Sequence, residues 1–442
     1  MFVSKVFQRY KSRNIIPILN FLLHSQYWSL EKIQAFQFEK IKKLINHAYL
    51  NVPYYHQLFK NIGIKPSDIQ QYEDFKSIPI LTKDIIRQNF NDLKASNLQE
   101  NDFIPNSTGG STGEPLHFYQ DTQYANWADA ARIRGWYNLA GCSYGDSCAV
   151  LWGAMRDIKE DFNVFERLRD YLLTGEIWLN AFNLSEDRKL DFIKLIKILR
   201  PKLLRGYVSA IKDLATYVEN CKIYFPPLKG IILGAETVDS ATQEYIEQIF
   251  KTTSYNTYGG RELSLMAMEC SNKNGLHEIS ENNYIELEKI KISNYQNAGN
   301  IIVTNLNNYA MPFIRYRIGD IAIPNENRIC NCGRGLPLIG KIIGRTTEVF
   351  IFYDGSRIAG EMFIHLMKDF PVIEYQFVQT SESSILLKLT KNNLVNEKIE
   401  EKIRSTYKSF LPDKVKFDIE KVEKIKKTET GKFRFVLKQF NQ

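Results

Sequence analysis

Two parts of the sequence combine residue types that could perform chemistry, and the first is a run of glycines and hydroxyl side chains. The run, Asn106–Pro115, reads Asn-Ser-Thr-Gly-Gly-Ser-Thr-Gly-Glu-Pro. Glycines let backbone N–H groups approach an anion, and hydroxyl groups add donors that phosphate oxygens accept. The run therefore predicts a phosphate-binding loop made of Ser107, Thr108, Gly109, Gly110, Ser111, Thr112 and Gly113.

The competing interpretation of this run is a flexible surface loop. Strand-like residues flank the run and Pro115 closes it, which favours a held conformation. The run is not a Walker-type loop, because Gly113 is followed by Glu114 where that motif needs Lys and then Ser or Thr. The sequence therefore argues against a classical phosphate-loop kinase or ATPase.

The second chemical feature is a set of cysteines and one histidine in two short clusters. Six residues separate Cys270 from His277, one residue separates Cys330 from Cys332, and 52 residues lie between the clusters. Three thiolates and one imidazole complete a tetrahedral zinc set, and such a set leaves no open position for a catalytic water. The polar neighbours of both clusters favour a structural Zn²⁺ site over the competing interpretation, which is unconnected cysteines and a surface histidine.

Five further short strings of residues follow one another along the sequence. They are Gly234–Glu236 (Gly-Ala-Glu), Tyr258–Glu262 (Tyr-Gly-Gly-Arg-Glu), Tyr316–Asp320 (Tyr-Arg-Ile-Gly-Asp), Gly344–Arg345, and Thr428–Arg434 (Thr-Glu-Thr-Gly-Lys-Phe-Arg). In this order, and after the Ser/Thr/Gly run, they resemble the adenylate-forming superfamily of acyl-CoA synthetases, peptide-synthetase adenylation domains and luciferases. The resemblance extends from about residue 45 to the C-terminus.

Within that superfamily the sequence looks most like the phenylacetate–CoA ligase-like branch. The strings Val52–Tyr55 (Val-Pro-Tyr-Tyr) and Ser77–Lys83 (Ser-Ile-Pro-Ile-Leu-Thr-Lys) support this assignment. The branch includes members that act in capsule polysaccharide biosynthesis and a synthetase that adenylates a deazaflavin coenzyme. Similar cysteine and histidine clusters occur in parts of this branch, which strengthens the zinc prediction.

The resemblance implies a role in ATP binding for most of these residues. The loop would hold the β- and γ-phosphates, and Tyr258 would stack on adenine. Asp320 would accept hydrogen bonds from both ribose hydroxyls, because a carboxylate offers two oxygens. The remaining implied ATP contacts are the backbone wall Gly234, Ala235 and Glu236, the glycines Gly259 and Gly260 beside Tyr258, and Arg345 at the ribose or phosphate.

The resemblance also implies three catalytic residues and a hinge. Glu262 would hold Mg²⁺, as a hard carboxylate suits a hard cation. Lys432 would bridge the attacking carboxylate and the α-phosphate, and Arg345 would assist. The chain departs from the family at Lys426, where Pro is usual, and at the hinge Thr347, where Asp or Lys is usual. A hinge only has to absorb a backbone change, so Thr347 is assigned that role.

The predicted activity is an ATP- and Mg²⁺-dependent ligation in two half-reactions. A small-molecule carboxylic acid is activated as an acyl-adenylate with release of pyrophosphate, and the acyl group then passes to coenzyme A or another acceptor. The alternative is an amide ligase that modifies a polysaccharide or coenzyme without coenzyme A. We expect the acid to lie against residues 127–153 and near residues 234–236, with aromatic walls from Trp136, Tyr137, Trp152 and Tyr207.

These residues must be positioned by elements that the sequence pattern also predicts. Strand-like and helical runs alternate between residues 148 and 251, and they include a strand over Cys148–Trp152 and a helix over Ser185–Leu199. This alternation indicates βαβ units and an α/β fold with mostly parallel sheets flanked by helices. Later in the chain the pattern predicts short strands at Ile314–Tyr316 and Asp320–Ile323 and a connection over Gly340–Thr347. We expect a large N-terminal adenylation domain over residues 1–345 and a small mobile α+β domain over residues 346–442.

Composition leaves one other class of protein open. Lys and Arg number 58 against 50 Asp and Glu, and residues 397–442 hold 13 basic and 8 acidic side chains. A zinc-containing, basic nucleic-acid-binding protein would need Lys and Arg interleaved with exposed aromatics, for which Phe433, Phe435 and Phe440 are the only hint. A degenerate ligase kept as a scaffold is disfavoured because every nucleotide-site position carries a suitable residue. No nucleic-acid partner is expected.

The sequence also predicts where the protein acts. The apolar stretch Ile15–Leu23 is about half the length of a membrane span, and Pro17 and Asn20 interrupt it. We therefore expect residues 1–28 to form an amphipathic helix that packs on the body, with peripheral membrane contact as the alternative. Six sparse cysteines fit the reducing cytoplasm, and a homodimer stays open.

Overall fold

The computed structural model describes most of the chain. The described residues are 14–108, 115–152, 171–181, 184–293, 295–327, 330–345, 349–367, 370–372, 374–391, 395–409, 411–425 and 434–439. Several predicted site residues lie outside these ranges. They are the loop residues Gly109, Gly110, Ser111, Thr112 and Gly113, the hinge residue Thr347 and the catalytic candidate Lys432.

The N-terminal part is helical because capping residues and prolines divide it into segments. The Ser29 side chain accepts a hydrogen bond from the backbone N–H of Lys32 and so caps a long helix, and Pro53 starts the next one. In this part the structure describes the helices Ile16–Ser25, Leu30–Asn51, Pro53–Ile62, Tyr72–Phe75 and Lys83–Gln88.

The strands of the large domain follow, interleaved with helices. The strands are β1 Ile104–Ser107, β2 His117–Gln120, β3 Cys148–Trp152, β4 Glu176–Asn180, β5 Leu203–Tyr207, β6 Gly230–Gly234, β7 Ser254–Gly260, β8 Ser264–Glu269, β9 Leu276–Glu278, β10 Asn283–Lys289, β11 Gly299–Asn305, β12 Tyr316–Pro324 and β13 Leu338–Arg345. The helices are Thr122–Ile133, continued by a π-helical turn Arg134–Asn138, then Glu186–Leu199, Val208–Asn220 and Ser240–Phe250.

Eleven of these strands form one mixed sheet. Its order is β10-β11-β12-β13-β9-β8-β7-β6-β5-β3-β4. The strands β3 to β7 pair in parallel, as the βαβ pattern predicts, and the α/β class is confirmed. The remaining pairs are antiparallel, because short links such as residues 261–263 between β7 and β8 leave no room for a crossover helix.

Helices cover both faces of the parallel half of the sheet. One core packs Ile211 and Ile246 of two following helices against Leu151 and Leu204 of the sheet. The core on the opposite face contains Val150 and also Leu22 of the helix Ile16–Ser25. The described part of the predicted N-terminal helix therefore packs on the body. Within the described residues no helix combines the length and apolarity that a bilayer crossing requires, and the cytoplasmic location, membrane contact and homodimer stay predictions.

Two element predictions were wrong in the antiparallel half. The expected strands at 314–316 and 320–323 are one strand, β12, and it begins at Tyr316 because Arg315 takes a left-handed backbone with φ of 51°. The expected connection over 340–347 is strand β13 as far as Arg345. The glycines that suggested a connection lie in the strand, where Gly340 faces the backbone of β12 so closely that a Cβ would lie 2.8 Å from two of its carbonyl oxygens.

The C-terminal part has its own sheet and core. The strands are β14 Val349–Ile351, β15 Arg357–Ala359, β16 Tyr375–Ser381, β17 Ser384–Thr390, β18 Lys416–Val422 and β19 Val436–Lys438, and the helices are Gly360–Met367 and Glu397–Lys408. Strands β16 to β19 form a four-stranded sheet in the order β18-β17-β16-β19. A separate aromatic core, with Phe363, Phe377 and Tyr407 at its centre, marks a separate domain. The boundary between residues 345 and 346 stays a prediction.

Candidate functional site

Four predicted nucleotide-site residues lie together at one end of the large sheet. We call Tyr258, Glu262, Asp320 and Arg345 the nucleotide cluster. Tyr258 lies on β7, and Glu262 lies in the link from β7 to β8. Asp320 on β12 is paired with Arg345 on β13. Three strands separate β7 from β12 in the sheet, so the antiparallel half must curl for these side chains to meet.

The carboxylate of Asp320 is the centre of the nucleotide cluster. The hydroxyl of Tyr258 donates a hydrogen bond to Asp320 Oδ2 at 2.7 Å, and Arg345 Nε lies 3.5 Å from Oδ1. Both carboxylate oxygens therefore have partners before any nucleotide is present. Burial, helped by the neighbouring charge of Asp320, raises the pKa of Tyr258 well above its ordinary value, so its hydroxyl stays a neutral donor.

Glu262 is the second carboxylate of the nucleotide cluster, and it is only 8% exposed. The hydroxyl of the fully buried Tyr316 donates to Glu262 Oε1 at 3.4 Å. Burial raises the pKa of Glu262, although Lys83 opposes this effect. A hard carboxylate with one weakly engaged oxygen fits a Mg²⁺ ligand, because Mg²⁺ takes one or two carboxylates together with phosphate oxygens.

Lys83 is a site residue that the sequence analysis did not assign. The backbone of Leu81 exchanges hydrogen bonds with Arg315 and Arg317, at 3.0 and 2.9 Å, which holds this segment against β12. Burial lowers the pKa of Lys83, and Glu262 and Asp320 counteract that effect through their negative charge. The sequence signal that could have identified Lys83 was its position at the end of the Ser77–Lys83 string.

The segment Gly234–Glu236 is held in an unusual backbone conformation. Ala235 is left-handed with φ of 63°, which is rare for a residue with a Cβ. A Cβ on Gly234 would lie 2.9 Å from Thr257 Oγ1, so this position requires glycine. The Glu236 carboxylate accepts hydrogen bonds from Ser209 N at 2.7 Å and Ser209 Oγ at 2.9 Å, at the N-terminus of the helix Val208–Asn220. The backbone of this segment is thereby fixed in place.

The described ends of the predicted phosphate loop are closed by hydrogen bonds. Thr108 N donates to Leu116 O, and Leu116 N donates to Thr108 Oγ1, both at 2.9 Å. Ser107 is buried at the end of β1. At the end of the paired strand β2 remote from the loop, Gln120 Nε2 donates to Arg261 O at 3.2 Å, which links the hairpin that carries the loop to the segment that carries Glu262.

The four predicted zinc ligands form a second cluster. We call Cys270, His277, Cys330 and Cys332 the cysteine–histidine cluster, and their ligand atoms all lie within 4.8 Å of one another. The Sγ atoms of Cys270 and Cys330 are 3.6 Å apart, and Cys332 Sγ is 3.3 Å from His277 Nε2. Zinc–sulfur bonds of 2.3 Å in a tetrahedron place two sulfurs about 3.8 Å apart, so the spacing fits zinc.

The surroundings of His277 also suit a metal ligand. Its Nδ1 lies 3.4 Å from the carbonyl oxygen of Leu336, which leaves Nε2 facing the three cysteines. A second partner on the far ring nitrogen is typical of histidines that bind metals. Strand β9 holds His277 between β8, which leads into Cys270, and β13, which follows Cys332. The cluster therefore joins three neighbouring strands.

The predicted acid-binding residues lie along the parallel half of the sheet. The rings of Trp152, at the end of β3, and Tyr207, at the end of β5, are 4.5 Å apart. Trp136 lies on the π-helical turn, and the guanidinium of Arg205 lies 3.9 Å from the centre of its ring. Sequence reasoning missed Arg205, because a single arginine in a strand carries no recognisable motif.

Comparisons with known proteins identify a matching family model and two similar proteins. The family model described as the CapK C-terminal domain matches residues 350–439. Protein CapK of Staphylococcus aureus is 26% identical over 409 residues, covering 91% of this chain and 88% of that protein. Phenylacetate-coenzyme A ligase of Pseudomonas putida is 25% identical over 335 residues, covering 73% of each chain.

A solved structure shares the whole fold. The crystal structure of 2-hydroxyisobutyryl-CoA ligase in the postadenylation state aligns with a TM-score of 0.72 at 18% identity, covering 94% of this chain and 91% of that one. The large sheet with flanking helices and the separate C-terminal domain match between the two. The resemblance that the ordered strings indicated is confirmed.

Proposed function

We propose that this protein activates a carboxylic acid with ATP and transfers the acyl group to an acceptor. Its similarity to CapK and to phenylacetate–CoA ligase, and the fold it shares with 2-hydroxyisobutyryl-CoA ligase, support the proposal. The observation that carries the proposal is the nucleotide cluster. Tyr258, Glu262, Asp320 and Arg345 come from distant parts of the sequence and meet within hydrogen-bonding or electrostatic reach.

In the first half-reaction an oxygen of the substrate carboxylate attacks the α-phosphorus of ATP. The bond from that phosphorus to the bridging oxygen breaks, and pyrophosphate leaves with the electron pair. Two anions must approach each other, so the protein has to position them and offset their charge. Lys432 is proposed to bridge the two reacting groups. In the second half-reaction the acceptor attacks the acyl carbon and AMP leaves.

The nucleotide is proposed to bind to groups that the fold already holds. Asp320 would exchange its hydrogen bond from Tyr258 for bonds from the ribose hydroxyls, and the freed aromatic ring would stack on adenine. Gly234, Ala235 and Glu236, with Gly259 and Gly260, would line the base through their backbones. Glu262 would bind a magnesium ion, which supplies neutralisation of phosphate charge, and Ser107 and Thr108 begin the loop proposed for the phosphates.

We propose a structural role for zinc in the cysteine–histidine cluster. All four positions of a tetrahedral site would be taken by protein atoms, so the ion would stabilise the fold without activating water. It would join the segment after β8 to the segment between β12 and β13. In this proposal magnesium binds at the nucleotide and neutralises phosphate charge, whereas zinc stabilises the fold.

Transfer to an acceptor other than coenzyme A is a second candidate for the final step. The domain proposed to carry Lys432 and to face the acceptor matches the CapK C-terminal model over residues 350–439. Coenzyme A is the default because the phenylacetate–CoA ligases are homologues. An amine or a hydroxyl group, as in amide ligation or polysaccharide modification, is the alternative acceptor.

The test is a pyrophosphate-release assay with a panel of carboxylic acids, each with and without coenzyme A. The expected result is acid-dependent pyrophosphate release, with AMP as the second product. Release that occurs without coenzyme A, followed by AMP formation only when an amine or sugar is added, would identify the second candidate. No acid-dependent release across the panel, from protein that still binds ATP, would contradict the proposed reaction.

A further inference from the structure

A cationic side chain lies between tryptophans on the sheet face that carries the predicted acid-binding residues. Arg205 of β5 is 8% exposed. Its guanidinium carbon lies 3.9 Å from the centre of the Trp136 ring and 5.9 Å from that of Trp178 on β4. Cation–π contacts of this kind fix the plane and the position of a guanidinium group.

The polar partners of Arg205 do not use all of its donors. Arg205 Nη2 donates to Glu176 Oε1 at 3.3 Å, and the other oxygen of Glu176 accepts from Trp178 Nε1 at 3.0 Å. Arg205 Nε is buried and has no hydrogen-bond partner among the described residues. A guanidinium has five N–H donors, and buried donors are normally satisfied. Arg205 therefore has capacity for one more oxygen acceptor.

The location of this donor relates it to the proposed chemistry. Arg205 and Tyr207 are two residues apart on β5, so Arg205 lies about 7 Å further from the nucleotide end of the strand. Tyr207 belongs to the core on the opposite face, but its ring lies 4.5 Å from that of Trp152, which packs against both cores. Tyr207 is paired with Gly234, the first residue of the proposed adenine wall. A small carboxylic acid with its reacting group near this wall would reach the guanidinium with its other end.

The aromatic residues around Arg205 keep part of their surface open. Trp136, Trp152 and Trp178 are each only part-buried, although all three belong to the core on this face. We call Arg205, these three tryptophans and Tyr207 the tryptophan recess. Exposed indole surface beside a buried, under-used donor is what a binding site for a semi-polar molecule needs.

The charge of the recess limits the kind of acceptor it takes. Glu176 already neutralises Arg205, since their side chains form an ion pair. A second carboxylate would leave a net negative charge in a poorly hydrated position, which is costly. A neutral oxygen, as in a hydroxyl or carbonyl group, adds a hydrogen bond without that cost.

We propose that Arg205 is a specificity-determining residue at the inner end of the acid site, and that the acid carries a hydroxyl or carbonyl oxygen at the end remote from its reacting carboxylate. The inference rests on the proposed function. It adds the chemical class of the substrate and the donor that selects it. The inference predicts that, of two acids that differ only at the remote end, the protein prefers the one with the oxygen.

The experiment compares pairs of acids in the pyrophosphate-release assay. Each pair differs by one remote oxygen, as in phenylacetate and 4-hydroxyphenylacetate, or butanoate and 4-hydroxybutanoate. The wild type should favour the oxygenated member by about tenfold or more in kcat/KM, because a site built to donate to an oxygen discriminates against its absence. Arg205→Met should bring this ratio close to one while the unsubstituted acids are still activated.

Two further variants keep the test decisive if Arg205→Met fails to fold. Arg205→Lys keeps the charge beside Glu176 but loses the forked donors, so it should fold and lower the ratio. Trp28→Phe changes a tryptophan of the same core that is not part of the tryptophan recess, and it should leave the ratio in favour of the oxygenated acid.

The outcomes separate this inference from the proposed function. If the wild type activates acids but shows no preference for the oxygenated members, or if the preference survives in both Arg205 variants, Arg205 is a structural residue and the inference is wrong. If the wild type releases no pyrophosphate with any acid, the proposed function itself fails.

Discussion

The nucleotide cluster and the cysteine–histidine cluster are built on the same strands but differ in completeness. Strand β8 starts two residues after Glu262 and ends immediately before Cys270, and β12 carries Asp320 and precedes Cys330 in the chain. The six residues of β8 place the two clusters about 20 Å apart. In the nucleotide cluster, charged groups of both signs lie beside one another, with Arg345 Nε 3.5 Å from Asp320 Oδ1. In the cysteine–histidine cluster, four ligand atoms lie within 4.8 Å of one another.

This difference indicates that the two clusters, at opposite ends of the same strands, have separate roles. The nucleotide cluster contains a buried carboxylate, and the neighbouring segment contains a left-handed alanine, both of which cost stability. The cysteine–histidine cluster contains only groups that a single ion would satisfy. We infer that a metal ion in the cysteine–histidine cluster would stabilise strands whose other ends carry these destabilising features.

The largest effect is expected for Lys432→Ala. Loss of the cation between two approaching anions should lower the rate of acyl-adenylate formation by about 10²–10³, while ATP binding by the large domain persists. Pyrophosphate release and ATP titration measure the two quantities. Lys416→Ala is the matched control, since Lys416 is a 74% exposed lysine of the same domain. Adenylation by Lys432→Ala at the wild-type rate would remove Lys432 from the mechanism.

Asp320→Ala should weaken ATP binding rather than chemistry. Two hydrogen bonds to a charged acceptor disappear, each worth roughly 1.5–3 kcal/mol, so the Kd for ATP should rise about a hundredfold or more. Calorimetric titration with ATP measures the change. Asp418→Ala, which removes a carboxylate paired with Lys416 in the C-terminal domain, should bind ATP normally. Equal affinities for the two variants would show that Asp320 does not hold the ribose.

Cys332→Ser should affect stability first and activity only indirectly. We expect about one zinc per chain in the wild type by elemental analysis, and loss of the ion together with a fall of several degrees in Tm in the variant. Cys221→Ser is the control, because Cys221 is an exposed thiol. Metal-free wild-type protein with an unchanged Tm in the variant would leave the four side chains as ordinary cysteines and a histidine.

Glu262→Gln should have the smallest effect, and it should raise the free energy of unfolding instead of lowering it. Burial raises the pKa of Glu262 in the folded state, so the protonated form is favoured there and its stabilising contribution is lost as pH rises above the unfolded value of about 4.3. The neutral variant should therefore gain stability over the wild type as pH rises, by no more than about 1 kcal/mol, while adenylation falls. A Tm that drops at neutral pH would contradict this comparison of the two clusters.

The sequence allowed the pattern of the site to be predicted better than its contacts. The resemblance of the ordered strings to the adenylate-forming superfamily assigned Asp320 and Glu262 to one site, and the structure brings them into one cluster. The hydrogen bond from Tyr258 to Asp320 was not predictable, since it depends on how far the antiparallel half of the sheet curls. The four zinc candidates were predictable despite the 52-residue gap, because cysteines are scarce in this chain.

The fold was predictable where the hydrophobic periodicity is strong. It was less predictable where a glycine is compatible with either a connection or a strand. The strand over Cys148–Trp152 was assigned with its observed bounds, and the helix predicted over Ser185–Leu199 begins one residue later, at Glu186. Gly340 and Gly344 suggested a connection, but Gly340 allows close approach between strands and Gly344 takes a positive φ of 118° within β13. Arg205 gave no signal, because its two tryptophan neighbours come from other elements.

The hydrogen bonds from Ser209 to Glu236 have a consequence for the order of events in a catalytic cycle. They tie the proposed adenine wall to the helix that continues directly from β5, the strand of Arg205 and Tyr207. Acid and nucleotide would thus be held by a single rigid body. Rotation of the C-terminal domain between half-reactions would leave the distance between acyl group and adenine unaltered. The acyl-adenylate would therefore keep its position on the large domain until the acceptor attacks.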